Sequence, residues 1–297
     1  MKSIYWFRND LRVDDNLSLN EAIESSDEIL FVYIQDVKNL NDTEWKFTRM
    51  DSHRKLYISQ GLNALQERLG SYGHSLNYYL GDTVGGLNNL VKKFQIDRIY
   101  CESIDSHEEL DEEKRLRDHK IDLYSLYQSG LFLNDQIPFH LNDLPDVFTK
   151  FRKDIELRNI NPIKPSLVNE KINAIISIVD EESITFNLQQ KDYSKSSFPI
   201  SENRFFGGED KGFKYLEYYF SSNKPATYKK TRNELMGTGF STKFSPWLAT
   251  GYISARQVYD FLLSYESNVI KNESTYWIFF ELLWREYFRL IFKKYGK

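Results

Sequence analysis

Two stretches carry residue types that could do chemistry together. Ser241-Thr-Lys-Phe-Ser-Pro-Trp-Leu-Ala249 is rich in hydroxyls and leads into a helical pattern. The free N–H groups of a helix start suit a phosphate or pyrophosphate, and Pro246 presets the first turn. Glu281-Leu-Leu-Trp-Arg-Glu-Tyr-Phe-Arg289 sets two carboxylates and two guanidiniums among aromatic rings. An aromatic face carrying a carboxylate suits a flat heterocycle that must be both stacked and hydrogen-bonded. At helical spacing Trp277, Glu281, Trp284 and Phe288 share one face, as i, i+4, i+7 and i+11. Glu281, Arg285 and Arg289 also form an i, i+4 ladder of charges, one acid followed by two bases. That ladder could simply keep a helix wet, but the helix is otherwise too apolar for it. The pair of stretches points to a nucleotide-like cofactor and a base.

Other candidates are weaker. Arg8-Asn-Asp-Leu-Arg-Val-Asp-Asp-Asn16 follows the first apolar run, at the place where α/β folds gather ligands. Its plainer reading, favoured on the residues alone, is a capped loop with Asp14 to Asn16 starting a helix at Leu17. Cys101 ends an apolar run and reads as a buried structural thiol. His107 reads as a helix-start residue, and no His/Cys cluster has metal-ligand spacing.

The chain has 297 residues and a net charge of −4, which hides an asymmetry. Residues 201–297 hold 15 Lys and Arg against 10 Asp and Glu, a net of +5. A basic C-terminal part on an acidic body is compatible with a polyanionic partner. Aromatic residues concentrate there too, 24 of the last 97, including Trp247, Trp277 and Trp284. An AT-rich coding bias accounts for much of the Tyr and Phe, but not for three tryptophans inside motifs. No apolar run is long enough to span a membrane, and the N-terminus becomes charged too early for a signal peptide. A single cysteine fits a reducing, cytoplasmic setting.

These residues need elements to hold them. Apolar runs at 4–7, 29–34, 76–80, 96–101 and 123–127 alternate with helical patterns at 17–23, 53–69, 84–94 and 108–119. That order predicts a doubly wound parallel α/β sheet over residues 1–131. No G-x-G-x-x-G follows the first strand. Residues 132–200 hold five of the seven prolines and read as an interdomain connector, with a short helix near 147–158. Residues 201–297 read as all-α, broken near 222–227 and 237–246. The helix from Trp277 to Phe292 is apolar on nearly every side and predicts burial in the middle of a domain. Too few residues follow to surround it, so the expectation is an incomplete chain, or one that has lost C-terminal helices.

Trp6-Phe-Arg-Asn-Asp-Leu-Arg-Val-Asp-Asp-Asn16 resembles the opening signature of the photolyase/cryptochrome family. Ser241 to Gly251 is similar to its flavin-phosphate loop, and Trp277 to Arg289 to its helix bearing Glu, Trp and Arg. Val147-Phe-Thr-Lys-Phe-Arg-Lys153, Gly207-Gly-Glu209 and Tyr228-Lys-Lys-Thr-Arg-Asn233 resemble the DASH-type cryptochromes. The resemblance covers essentially the whole chain, while family chains continue well beyond it. It implies a sheet domain followed by the first part of an all-α FAD-binding domain. It also implies FAD held by Tyr228, Ser241, Thr242, Phe244, Ser245 and Arg285, and a flipped-out lesion met by Glu281 and Trp284. Lys229, Lys230 and Arg232 would contact DNA phosphates; Lys150, Arg152 and Lys153 remain open between that role and a structural one. A 5,10-methenyltetrahydrofolate antenna between the two domains would meet Glu108 or Glu109.

The function implied is FAD-dependent, blue-light-driven repair of cyclobutane pyrimidine dimers by electron transfer from reduced flavin, chiefly in single-stranded, UV-damaged DNA. The protein would be a cytoplasmic monomer without membrane or metal partner. Two alternatives stand beside it. One is a blue-light photoreceptor that binds FAD and nucleic acid without repair; the other is an inactive truncated product, since a chain of this length is expected to be weak or inactive. The family's electron-relay tryptophans, its flavin N5 neighbour and the far wall of its lesion pocket fall beyond residue 297. Glu234 stands where related sequences often have glycine.

Overall fold

The structure, a computed structural model, describes residues 1–184, 202–234 and 239–296. Its first half alternates as β1 (Lys2–Phe7), α1 (Leu17–Ser25), β2 (Glu28–Asp36), α2 (Ser52–Gly70), β3 (Leu76–Gly81), α3 (Thr83–Phe94), β4 (Arg98–Glu102), α4 (His107–Asp118) and β5 (Leu123–Leu126). The strands lie in the order β3-β2-β1-β4-β5, all parallel. The doubly wound sheet read from the sequence is thus present. Its central strands β2, β1 and β4 are buried on both faces, which is why they appear as near-continuous apolar runs. Ile4, Trp6, Leu30, Val32 and Ile34 point to α3 and α4, where Val84, Leu87 and Leu116 meet them. Tyr5, Phe7, Phe31 and Tyr33 point the other way and join a core that runs through α1 and α2 into the C-terminal helices.

The connector is more ordered than its prolines suggest. It forms α5 (Phe148–Leu157), where the short helix was expected, and returns as β6 (Ile176–Ser177) beside the start of β2. Two residues are too few to show a period, so β6 left no trace in the pattern. Residues 185–201 lie outside the described residues.

The helical part comprises α6 (Glu209–Phe220), α7 (Lys224–Thr231), α8 (Ser245–Thr250), α9 (Ala255–Asn268) and α10 (Glu273–Tyr295). The break expected at 222–227 is a helix start, because Pro225 sits in the first turn of α7, where no N–H is needed. Capping boxes open α9 at Ser254 and α10 at Asn272.

Three contacts lock this part onto the sheet. Arg256 of α9 bonds Asp15 at 3.0 Å with both side chains fully buried, and donates to the carbonyls of Gln128 and Gly130. Arg12 donates to the Gly251 carbonyl. Glu209 accepts the backbone N–H groups of Val13 and Asp14. Asn16 caps α1, as the plainer reading of that loop held.

One expectation is corrected. α10 is not buried all round: Phe288 is 61% and Phe292 48% exposed, while Ile278, Leu282, Leu283 and Leu290 on the opposite side are buried. An apolar helix reads as buried on every face, but α5, α7 and α9 pack against only part of it.

Candidate functional site

α7 and α10 lie side by side and bring together four residues the sequence singled out. Arg232 pairs with Glu281 at 2.7 Å, and its guanidinium sits 4.7 Å above the Trp277 ring. Lys229 lies 5.3 Å from the same ring and pairs with Glu273. Cations over an indole face gain from its quadrupole, by about 0.5–2 kcal/mol each. Among the described residues Lys230 has no carboxylate partner. Tyr228 is buried beside this cluster, and burial raises its phenol above the ordinary range. Trp277 is therefore the platform on which two of the three expected DNA-contacting cations rest.

Trp284, one turn further along that face, stacks on Phe148 of α5 at 3.6 Å between ring centroids and 14° between planes. Its other near-parallel neighbour is Phe288, at 5.2 Å and 25°. Phe148 is buried, whereas Phe288 is exposed. α5 is held to α10 again by Arg152, which donates to the Tyr276 hydroxyl, which in turn donates to Glu156. This gives Arg152 the structural role, whereas Lys150 and Lys153 are left exposed.

The loop before α8 leaves Ser241 and Thr242 half-buried and Ser245 exposed. The Phe244 ring is buried among Tyr219 and Phe220, so only its backbone faces the loop. No side chain caps the start of α8, so its first N–H groups remain available as donors. α8 has only six residues, so those donors and the hydroxyls, not a macrodipole, must attract an anion.

Arg285 faces the sheet. Its guanidinium donates to the Ser129 carbonyl at 2.9 Å, and burial, then Arg289, pushes its pKa down to about 10. Beside it Glu286, fully buried, accepts the Leu131 N–H at 2.7 Å. Glu286 was not singled out in the sequence, although a carboxylate on the apolar side of a helix is itself a signal. Glu102, at the carboxyl end of β4, was also missed; it is buried with neither oxygen hydrogen-bonded.

Glu108 and Glu109 open α4 and border a cavity of about 490 Å³ with Asn9, Tyr33, Trp45 and Arg54. Arg49 pairs with Glu108 at 2.6 Å and holds its carboxyl below the usual range. The cavity lies wholly among residues 1–131, at the carboxyl edge of the sheet. Cys101 is buried, with its thiol pushed up to about 12 by burial, as its structural reading required. Among the described residues no cluster of His, Cys, Asp and Glu could hold a metal ion, and no helix is long and apolar enough to cross a membrane.

A parallel sheet wound on both faces, followed by helices that carry Glu, Trp and Arg on one long element, defines the photolyase/cryptochrome architecture. The chain belongs to the DNA photolyase family, whose model matches residues 3–167. Cryptochrome DASH from Synechocystis sp. is 34% identical over 99% of this chain and 60% of its own length. Cryptochrome DASH from Xenopus laevis is 34% identical over 98% and 57%. The solved Synechocystis cryptochrome superposes with a TM-score of 0.86 at 32% identity, over 99% of this chain and 62% of that one. A class III photolyase from Agrobacterium tumefaciens shares the fold, with a TM-score of 0.77 at 19% identity over 99% and 59%. The chain thus spans about 60% of the length of the curated relatives it matches.

Proposed function

We propose that the protein acts as a DASH-type cryptochrome that repairs cyclobutane pyrimidine dimers in single-stranded DNA with FAD and blue light. One observation carries this reading: α7 and α10 gather Lys229, Arg232, Trp277 and Glu281 into one patch, with Trp284 next along it. Cations there position a strand through its phosphates without reading sequence. A dimer stacks and pairs poorly, so it is turned out of a strand more easily than intact bases are. Trp284 receives it once Phe288 swings away, a stack worth about 1–3 kcal/mol. Glu281 accepts hydrogen bonds from the base edge.

The donor set fits a dinucleotide. Ser241, Thr242 and Ser245 offer hydroxyls and α8 offers uncapped N–H groups, and Tyr228 would close one side. Phe244 contributes backbone only, and Arg285 would hold the flavin side from the Ser129 carbonyl. Bound and reduced, FAD would lend the dimer an electron on illumination and take it back once the two cyclobutane carbon–carbon bonds have parted, so that the splitting is redox-neutral. The chain's part is to keep that distance short and water out. The cavity by Glu108 and Glu109 is the place for a 5,10-methenyltetrahydrofolate antenna, and the protein would work as a monomer in the cytoplasm.

Dark binding tests the reading. Oligothymidylate carrying one dimer should bind about tenfold tighter than the undamaged strand, and Trp284→Ala should remove that preference. Equal affinity for the two strands, with FAD retained, would favour a photoreceptor without repair. The near-parallel stacking of Phe148 and Phe288 on Trp284 is the observation on that side. A protein that retains no FAD would be an inactive product.

A further inference from the structure

The residue expected to take a DNA phosphate and the residue expected to take the base are bonded to each other. Arg232 gives its guanidinium to Glu281 at 2.7 Å, and both side chains remain partly exposed, 27% and 34%. Trp277 holds the guanidinium from one side. Lys229, one turn back on α7, is tied in the same manner to Glu273 of α10. In this state Glu281 has a partner and so does Arg232; neither is available to a ligand without breaking the pair.

We propose that the Arg232–Glu281 pair is a latch released by a DNA phosphate. The inference rests on the reading of this patch as a dimer-binding site. A phosphate offers Arg232 a stronger, bidentate partner in exchange for a half-exposed carboxylate. When Arg232 turns to the backbone, the Glu281 carboxylate is freed at the moment a strand is present, and can accept from a base edge. Without a strand the carboxylate stays neutralised, and the patch presents less positive charge to other anions. Lys230, with no carboxylate partner among the described residues, is the cation left to make the first contact. Trp277 is then a positioning residue, keeping Arg232 over the indole in both states so that the exchange needs only a swing of its end.

The latch makes a prediction opposite to that of a simple ligand. Glu281→Gln should tighten the binding of undamaged oligothymidylate, about three- to tenfold at low salt, because Arg232 no longer has to be pulled from a carboxylate. The slope of log affinity against log salt should stay close to that of the unaltered protein, because the strand-bound state holds the same Arg232–phosphate contact in both. Arg232→Gln should weaken binding. In an Arg232→Gln background, Glu281→Gln should give no gain, which separates the latch from a general loss of negative charge. Fluorescence anisotropy against potassium chloride concentration reads all four proteins, with circular dichroism to confirm equal folding. Unchanged or weaker binding by Glu281→Gln, or an equal gain in both backgrounds, would overturn the latch while leaving the dimer-binding reading standing. No binding of any strand by the unaltered protein would overturn both.

Discussion

Glu102 shows how a single residue can set the pH behaviour of the fold. Burial, and then Asp10, push its carboxyl up to about 7. Its folded pKa thus lies above the unfolded value of about 4.3, so the folded chain holds the proton more tightly. The stabilisation is fully present below the unfolded value and is lost as pH rises through about 7. Glu209 adds to this in the same sense, raised to about 7 by burial. Stability to urea should therefore fall from about pH 5 to about pH 8, and Glu102→Gln should flatten that fall by up to about 3 kcal/mol. A variant with an unchanged pH slope would contradict the assignment. Glu286 is the complementary case, because its carboxylate satisfies a buried backbone N–H. Glu286→Ala orphans that donor and should cost about 3 kcal/mol of stability, read as a lower urea midpoint. Residue types were readable in advance, but their partners were not. Glu281 and Trp284 stood out by spacing, whereas Glu102 and Glu286 become informative only once long-range packing buries them.

Elements decide what those residues can reach. α10 was visible from its apolar pattern, yet that pattern could not say which neighbours it would have. Phe148 belongs to a helix far away in sequence, and its stack on Trp284 follows from the way the connector folds back. Phe148→Ala should cost about 3–5 kcal/mol, as large-to-small changes in aromatic cores do, and should shift the tryptophan emission to longer wavelength. An unshifted spectrum would mean that the stack does not fix the indole. Gly251 is the other element-scale determinant. It closes α8 at φ +70°, and a Cβ there would lie 1.8 Å from the Asn9 carbonyl oxygen. Gly251→Ala should therefore destabilise by about 3 kcal/mol or more, since both strain and a clash with backbone must be relieved. Here the Ser-Pro-Trp wording marked the helix start, while the close approach of the first-strand loop left no sign in it.

At the scale of the whole molecule, the sheet and the helices are joined by buried charge. Arg256→Met leaves Asp15 buried and unpaired, and should cost about 3–5 kcal/mol, whereas replacing both residues with apolar ones should cost much less. A double variant as unstable as the single one would show that packing, not charge, is the joint. The alternation of strands and helices made the sheet legible, because a doubly wound sheet buries both faces of its central strands. The joint was not, because the nine residues after β1 read more plainly as a capped loop, a role that Asn16 fills. The function proposed depends on that joint, which anchors α9 to the loops that follow β1 and β5. Its most direct test is to load the purified protein with FAD, reduce it, and illuminate it with blue light in the presence of a dimer-bearing oligothymidylate. Recovery of thymine absorbance in the light and none in the dark is the expected result. A protein that holds both FAD and the strand, yet restores no thymine under light, would contradict the proposal.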